Sequence, residues 1–337
     1  MNSYLPPRIA VTGATGFLGS HLIPQLLKNK VDVTCLVRSS SDTSKLPKEV
    51  KIATVDLASG AGLEEALRGQ TAFIHMAALL FGLRWQDYLQ ANTCAAQNIC
   101  KALKNLNVDG PQKILLVSSQ AASGPSKGCT PLLDDCKPAP VSAYGWSKLL
   151  VERTFQSANF KNLVILRPSI IYGSGDRGLL PLFQGIKHGL AVSPGFKRDF
   201  PVSIVHAYDM SQAILLGLRP EAHGIYHVSD GLTYTMEQFC QKIGQALGQK
   251  HTHVFKIPLP IMHLTAFLST QSFCLLNLFR TERRAPNWNL DKYLEAKQAG
   301  WVLRPVRMQQ ELGYEPKYSL ELGAQESIKG YQELGWL

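Results

Sequence analysis

Short apolar runs alternate with amphipathic stretches along the first half of the chain. Five runs rich in aliphatic residues are typical of buried parallel strands. They cover residues 8–12, 32–37, 50–55, 71–78 and 113–117. Because this alternation continues to about residue 170, we predict an α/β fold with a doubly wound parallel sheet.

The pattern changes after Gly173. Residues 174–200 are rich in Gly, Pro, Lys and Arg, and we predict loops around one helix near residues 180–188. A chain of 337 residues also exceeds the usual size of one domain, so a second lobe is expected. The predicted boundaries are 1–173 for the larger domain, with 201–228 returning to it, and 174–200 plus 229–337 for a smaller C-terminal lobe.

A glycine-rich segment, Thr12–Gly19, joins the first predicted strand to the first predicted helix. Its spacing is Gly-x-x-Gly-x-x-Gly, and glycine lets a pyrophosphate approach the backbone. The helix that starts there offers free N–H groups and the positive end of its dipole. We therefore predict a Rossmann-type dinucleotide-binding domain; the alternative is an ordinary tight turn. The predicted phosphate-binding residues are Gly13, Thr15, Gly16, Phe17, Leu18 and Gly19.

The residue after the second strand bears on the choice of dinucleotide. Arg38 stands where NAD-binding folds usually place an acid that holds the ribose 2′-hydroxyl. An arginine suits a 2′-phosphate, and the hydroxyls of Ser39, Ser40 and Ser41 add donors. We predict NADP as the preferred cofactor. NAD remains the alternative if Arg38 is a solvated loop residue.

The ends of the third and fourth strands supply further cofactor candidates. Asp56, with Leu57 beside it, could accept a hydrogen bond from the adenine amino group; the alternative is a helix cap. Ala77 and Ala78 are small enough for the cofactor to approach their backbone. We predict that His75 is a packed histidine at a strand end and not a catalyst.

Tyr144 and Lys148 lie four residues apart on a predicted helix that Ser142 caps. A tyrosine titrates near ~10 in water, and a nearby ammonium would lower that pKa. Tyr144 could then exchange a proton with a substrate oxygen while a hydride moves to or from a nicotinamide ring. Ser119, at the end of the fifth strand, would bind the same oxygen. These residues predict an oxidoreductase.

The chain resembles the extended short-chain dehydrogenase/reductases, the NAD-dependent epimerase/dehydratase superfamily, over nearly its whole length. The segments that carry the resemblance are Thr12–Gly19, Asp56-Leu57, His75–Ala78, Ser118-Ser119, Tyr144 with Lys148, and Arg167–Gly173. The resemblance implies a catalytic set of Ser119, Tyr144 and Lys148, with Asn92 supporting a proton relay through water and Asn98 as the second choice for that role. It also implies that Pro168 and Ile171, like Tyr144 and Lys148, contact the cofactor.

Departures from the sugar-nucleotide members narrow the prediction. At the position of Ser119-Gln120-Ala121, the dehydratases have a sequence similar to Thr-Asp-Glu. At the position of Ile170, the epimerases usually carry asparagine. The segment from Arg167 to Asp176 is more similar to 3β-hydroxysteroid dehydrogenases and dihydroflavonol reductases. We therefore expect a hydroxyl/carbonyl oxidoreductase with a small, hydrophobic substrate. The alternatives are an NAD-retaining nucleotide-sugar epimerase and a non-catalytic dinucleotide-binding protein.

Family members often dimerise through the helices that contain Tyr144 and the Asn92 segment. A homodimer is therefore expected here. Leu149, Leu150 and Phe155 could face a partner, but they could equally face the sheet.

The net charge is +10, but Lys and Arg are dispersed and form no basic arm. We therefore expect no nucleic-acid partner. The apolar stretch Ile257–Phe279 carries two early prolines and a polar centre, Ser269–Ser272, which disfavour a transmembrane helix. We expect a helix pair packed into the C-terminal lobe. The alternatives are an amphipathic lid over an apolar pocket, or a membrane-surface contact next to Arg280, Arg283 and Arg284.

The seven cysteines lack the Cys-x-x-Cys spacing of a metal site. Cys129 and Cys136 lie in a loop-like segment without a ligand histidine, so no bound metal is expected. An odd number of cysteines, and no charged and apolar leader in Met1–Pro7, indicate reduced thiols in the cytoplasm.

Overall fold

A computed structural model describes residues 4–279 and 285–337. Its strands are β1 (Arg8–Thr12), β2 (Asp32–Val37), β3 (Lys51–Thr54), β4 (Ala72–His75), β5 (Lys113–Val117), β6 (Leu163–Pro168), β7 (Ile170–Tyr172), β8 (Leu190–Pro194), β9 (Pro201–Val202), β10 (Ile204–His206), β11 (Gly224–Val228), β12 (Tyr234–Thr235) and β13 (His253–Ile257). Seven of them form a parallel sheet in the order β11-β6-β5-β4-β1-β2-β3. The strand order reverses between β1 and β4, where open α/β sheets bind ligands at the carboxyl ends of their strands.

The helices cover both faces of this sheet and build the second lobe. They are α1 (Phe17–Lys28), α2 (Leu63–Leu67), α3 (Trp85–Tyr88), α4 (Ala95–Leu106), α5 (Gln120–Ser123), α6 (Ala143–Ser157), α7 (Leu180–Lys187), α8 (Ala207–Gly217), α9 (Met236–Ala246), α10 (Leu259–Leu276), α11 (Leu290–Ala296), α12 (Val306–Leu312) and α13 (Leu320–Glu333). A π-helical segment, Leu89–Cys94, joins α3 to α4, and a 3₁₀ turn, Asn107–Asp109, follows α4.

Alternation along the central strand explains the two apolar layers. On β1, Ile9 and Val11 belong to the buried cluster that includes residues of α1 and α8. Ala10, between them, belongs to the cluster that includes residues of α4 and α6. A strand buried on both faces must be apolar throughout, which is why the sequence showed continuous apolar runs. The predicted doubly wound sheet is confirmed.

The second lobe has its own core, built from aromatic and aliphatic side chains such as Phe183, Phe239 and Trp301. One part of the stretch predicted to form this lobe packs elsewhere. Met308 and Leu312 of α12 are buried in the core of the larger domain. Arg307 fixes this position, because its guanidinium donates to the carbonyl of Ile225 on β11 at 2.8 Å.

The stretch Ile257–Phe279 does not form the expected helix pair. Leu259–Leu276 is one continuous helix, α10. Its polar centre does not break it, because the hydroxyls of Thr270 and Ser272 donate to carbonyls four residues back, each at 2.8 Å. By length and composition α10 is a candidate membrane span, with 17% of it buried. Arg280, Arg283 and Arg284 lie outside the described residues.

The predicted partner face of α6 is largely occupied within the chain. Leu149 is buried, and Phe155 is part of the core between α6 and the sheet. Only Leu150 of the three residues is half-buried. The sheet-facing alternative therefore applies to Leu149 and Phe155, and a homodimer stays a prediction.

Candidate active site

The turn after β1 has a shape that only glycine permits. Gly13 has φ of +77°, and a Cβ on it would lie 2.8 Å from the backbone nitrogen of Ala77. A Cβ on Gly19 would collide with the carbonyl of Ala14. These glycines therefore let β1, α1 and the end of β4 approach one another closely.

The N-terminus of α1 is open to an anion. Its N-cap is Gly16, no side chain among the described residues caps it, and its first turn carries no acid. The N–H groups of Phe17, Leu18 and Gly19 precede the helical hydrogen bonds and keep the positive end of the dipole. This arrangement fits a dinucleotide pyrophosphate, with Thr15 exposed on the same turn.

The residues predicted to bind adenosine lie after the carboxyl ends of β2 and β3. Arg38 follows β2 directly and is exposed. Asp56 accepts hydrogen bonds from Ser59 Oγ at 2.7 Å and from Ala58 N at 2.9 Å. The Ser59 hydroxyl, and then the Ala58 amide, lower the pKa of the Asp56 carboxyl. Asp56 thus stabilises the local turn as an ionised carboxylate, while Leu57 beside it is half-buried.

His75 is a packed residue. It is 2% exposed and lies between the rings of Phe73 and Phe155. Burial, with a smaller effect of the Lys148 charge, lowers its pKa to about 3. The Thr12 hydroxyl accepts from the amides of Met76 and Ala77 and donates to neutral His75 Nδ1, 2.7 Å away. The hydrogen bond from Ala77 N to Thr12 holds the backbone of Ala77 against the glycine turn. Ala78 is the next residue.

Ser119 and Tyr144 meet at the carboxyl end of β5. Ser142 caps α6 as predicted, since its hydroxyl accepts from Gly145 N at 3.0 Å. Tyr144, in the first turn, is buried, and the Ser119 side chain lies near enough to its hydroxyl to lower its pKa. The Ser119 oxygen also accepts from Ala121 N at 3.1 Å as the N-cap of α5. Two helix N-termini therefore position the two hydroxyls.

Lys148 is held below Tyr144 by the backbone of β5. Its ammonium donates to the carbonyl of Val117 at 2.7 Å. Burial lowers the pKa of Lys148 to about 8, while the nearby Glu152 carboxylate opposes the shift. A charge that is this easily neutralised is suited to proton exchange near neutral pH.

A buried polar network supports this lysine, and the sequence did not reveal it. Arg167 on β6 makes a bidentate ion pair with Glu152, with distances of 2.9 and 2.6 Å. The Ser118 hydroxyl donates to the same carboxylate. Arg167 also donates to Ser123 Oγ at 3.2 Å. The network fixes α6 against the ends of β5 and β6.

Asn92 lies in the π-helical segment next to α6. Its side-chain oxygen accepts from Leu79 N at 2.7 Å, and its amide donates to Leu79 O at 3.2 Å and Ser147 Oγ at 3.0 Å. Asn98 instead holds the turn after β3, because its amide donates to the carbonyls of Leu57 and Ala58 at 3.0 and 2.7 Å. Asn92 is therefore the asparagine next to the catalytic helix; its role in a proton relay stays a prediction.

The end of β6 supplies the remaining predicted cofactor contacts. Pro168 is the last residue of β6, and Ile171 is half-buried on β7. Two buried polar atoms at this end of the sheet, Ser169 Oγ and Gln120 Nε2, have no hydrogen-bond partner among the described residues. Buried polar groups normally have partners, so these two fit a bound polar group.

Three residues of α11 complete the site, and the sequence analysis missed them. Asp291 accepts from the amides of Ala143 and Tyr144 at 2.6 and 3.2 Å, and so caps α6 from outside. Glu295 accepts from the Ser142 hydroxyl at 2.7 Å. Lys292 lies over the face of Tyr144, with its ammonium 4.6 Å from the ring centroid and 2.9 Å from Glu295.

The electrostatics of Tyr144 differ from the sequence-based expectation. Burial is the main effect and raises the pKa of Tyr144. The cation that opposes this rise is Lys292, with the Ser119 side chain acting in the same direction. Lys148 is not among the groups that shift the pKa of Tyr144, and its ammonium is directed to the carbonyl of Val117. Its catalytic role stays a prediction.

The comparisons with known proteins agree with this geometry. The NAD dependent epimerase/dehydratase family matches residues 9–228, and the chain belongs to that family. The ceramide reductase of Caulobacter vibrioides is 27% identical over 333 residues, which cover 98% of this chain and 96% of that protein. The decarboxylating sterol-4-alpha-carboxylate 3-dehydrogenase of Schizosaccharomyces pombe is 25% identical over 281 residues, or 78% and 81% of the two chains.

The fold comparison gives the same family architecture. The UDP-glucose 4-epimerase of Thermus thermophilus, solved in complex with NAD, matches with a TM-score of 0.74 at 22% identity, over 96% of this chain and 99% of that one. The predicted family and fold are confirmed. The protein is thus an oxidoreductase or epimerase of this NAD-dependent family.

Proposed function

We propose that the protein is an oxidoreductase that interconverts a hydroxyl and a carbonyl group on a small, hydrophobic substrate, with NADP(H) as the dissociable cofactor. The observation that carries this proposal is the position of Tyr144, which is buried next to Ser119 with the Lys292 ammonium 4.6 Å from its ring centroid. Such a pair of hydroxyls can bind one substrate oxygen and exchange a proton with it.

In a carbonyl reduction, Ser119, Tyr144 and Lys292 would each have a separate role. The nicotinamide, when bound, supplies the hydride. The Ser119 hydroxyl donates a hydrogen bond to the substrate oxygen, and Tyr144 transfers its hydroxyl proton to that oxygen. The phenolate left on Tyr144 is stabilised by the Lys292 ammonium over its ring. In alcohol oxidation the phenolate accepts the proton instead.

Apolar walls around Tyr144 support a hydrophobic substrate. The ring of Tyr144 packs in a cluster with Tyr88 and Ala121, and Leu79 lies against them. Phe81 lies under the same lysine, with its ring centroid 5.5 Å from the ammonium. The ceramide and sterol enzymes among the relatives act on lipid substrates by their names, which agrees with apolar surroundings of Tyr144.

Arg38 supports the choice of NADP(H). Its guanidinium is exposed at the end of β2, where it can reach a ribose 2′-phosphate. The epimerase alternative, with retained NAD, is supported by a sequence relative, the UDP-glucose 4-epimerase of Vibrio cholerae, which is 24% identical over 272 residues. It is also supported by the fold likeness to the Thermus thermophilus enzyme. At 22% identity that likeness concerns the fold alone, and Ile170 replaces the asparagine usual in epimerases.

One experiment separates these two functions. Purified protein is assayed for net oxidation of NADPH with a panel of apolar ketones, and for interconversion of UDP-sugars without added cofactor. We expect net NADPH oxidation with an apolar ketone and no cofactor that copurifies. Copurified NAD together with UDP-sugar interconversion would replace the proposal by the epimerase function.

A further inference from the structure

The helix α10 has apolar residues on two opposite sides, and only one side is covered. Met262, Ala266 and Thr270 recur at four-residue spacing and are buried. The opposite side carries large apolar side chains that are 53–61% exposed. These are Ile261, Leu264, Leu268 and Leu275. Large apolar side chains on the uncovered side of a helix need an apolar environment.

The exposed side of α10 continues into a two-stranded ribbon. β8 and β13 pair in parallel, with Val192 opposite Phe255, and both side chains are exposed. The ribbon joins the helix directly, because Gly195 N donates to Ile257 O at 2.9 Å and α10 starts two residues later. We define the apolar face as Val192, Phe255, Ile261, Leu264, Leu268 and Leu275. Contiguous exposed apolar surface of this kind marks an interaction site.

The charge around the apolar face is mainly positive, although Lys256 on the ribbon is paired with Asp199 and Glu237 at 3.2 and 3.6 Å. Residues 238–281 contain no Asp or Glu, but they contain four Lys or Arg residues. Three further lysines are exposed near the ends of the ribbon strands, and none of them joins an ion pair within the described part of the chain. They are Lys187 at the end of α7, Lys197 after β8 and Lys250 before β13. A basic border around an apolar face is complementary to anionic phospholipid head groups over acyl chains.

The covered side of α10 shows that the helix lies along a surface. Thr270 Oγ1 accepts from Leu290 N at 3.0 Å, and Ser269 Oγ donates to Trp288 O at 2.8 Å. Trp288 Nε1 in turn donates to Thr265 Oγ1 at 3.1 Å. A helix that crossed a bilayer could not keep this polar side against the C-terminal lobe.

We propose that the apolar face docks the protein on an anionic phospholipid bilayer, with α10 lying in the plane of the interface. The same contacts join α10 to α11, which carries Lys292 over Tyr144. Docking would therefore place α11, which lies over Tyr144, next to the lipid phase. The docking itself does not depend on the proposed function, because it is measured without turnover.

The test is binding of the full-length protein to vesicles. Wild type is sedimented with phosphatidylcholine vesicles that contain phosphatidylglycerol, and with vesicles of phosphatidylcholine alone. The variant Leu264→Ser/Leu268→Ser removes two side chains from the apolar face. The matched control is Val108→Ser/Leu322→Ser, which removes two exposed apolar side chains elsewhere, 77% and 55% exposed against 56% and 54% for Leu264 and Leu268. Size-exclusion chromatography with light scattering is run on all three proteins.

We expect wild type and the control to bind the anionic vesicles, at least tenfold more tightly than the neutral ones. The Leu264→Ser/Leu268→Ser variant should bind them at least tenfold more weakly, with unchanged circular dichroism. Added salt should weaken wild-type binding. No binding by wild type, or equal binding by the two double variants, would overturn the proposal. A dimer that only Leu264→Ser/Leu268→Ser dissociates, without vesicle binding, would assign the face to a second copy of the chain.

Discussion

The Lys292 ammonium lies 4.6 Å from the ring centroid of Tyr144, although the two residues belong to different lobes. Glu295 holds the lysine from the same helix at 2.9 Å. The proposed acid–base residue on α6 therefore has a cation from α11 over its ring. This relationship predicts a specific pH effect.

Replacing Lys292 by Met should raise the pKa of Tyr144 further. Burial already raises that pKa, and the Lys292 charge is the main opposing effect. In alcohol oxidation Tyr144 acts as the phenolate, so kcat should rise with pH at a higher pH than in wild type. We expect about tenfold lower kcat at neutral pH, which corresponds to roughly one pKa unit. The pH profile of kcat measures this effect. Lys292→Arg should restore the wild-type profile, and an unchanged profile in Lys292→Met would disprove the electrostatic role.

Asp291 should position the catalytic helix. It accepts from the amides of Ala143 and Tyr144. Asp209 makes the same kind of contact with the amides of Lys317 and Tyr318, both at 2.9 Å, and provides a matched control. Asp291→Ala and Asp209→Ala should each lose about 1.5–3 kcal/mol of unfolding free energy, because both remove charge-assisted hydrogen bonds. Only Asp291→Ala should also lower kcat per folded enzyme. Equal kcat values for the two variants, by active-site titration, would show that Asp291 is structural alone.

Arg38→Asp should reverse the cofactor preference. The guanidinium would lose a charge-assisted contact with a 2′-phosphate, and the carboxylate would gain one with a 2′-hydroxyl. We expect NADPH affinity to fall about 10- to 100-fold, in line with roughly 1.5–3 kcal/mol for such a bond. Fluorescence titration of NADPH and NADH measures both affinities. Lys45→Asp is the charge-matched control, further along the same connection between β2 and β3. A similar loss of NADPH affinity in that variant would show that the Arg38→Asp effect comes from net charge alone.

The buried pair of Glu152 and Arg167 should be costly to break. Both side chains are at most 2% exposed, so Glu152→Gln leaves the guanidinium without a counter-charge. Loss of one partner of a buried pair costs about 3–5 kcal/mol. Glu321→Gln breaks the exposed pair with Lys242 and should cost less than ~1 kcal/mol. Urea unfolding compares the two, and a small cost for Glu152→Gln would mean that the interior of the site admits water.

The sequence predicted the nucleotide end of the site because its contacts are local. Gly13, Gly16 and Gly19 lie within one strand–turn–helix unit, and at Gly13 and Gly19 a side chain would collide with the backbone. Ser142 likewise caps α6, because its hydroxyl accepts from the amide three residues later. Spacing along the chain is enough to identify such features.

The α11 residues could not be found in this way. Asp291 contacts an amide 148 positions earlier in the chain. A contact over such a distance cannot be predicted from residue type or local spacing. Lys292 and Glu295 look like an ordinary ion pair on an exposed helix. The continuity of α10 was mispredicted for a different reason, since serine and threonine in a helix satisfy their own hydroxyls against its backbone.

The most direct test of the proposed function is Tyr144→Phe, assayed with the best ketone substrate and with NADPH binding measured in parallel. Tyr208→Phe, a half-buried tyrosine at the start of α8, is the control. The proposal predicts that kcat falls about 10²- to 10⁴-fold in Tyr144→Phe. NADPH affinity should stay within about threefold, and Tyr208→Phe should keep wild-type turnover. Full turnover in Tyr144→Phe would contradict the assignment of Tyr144 as the acid–base residue.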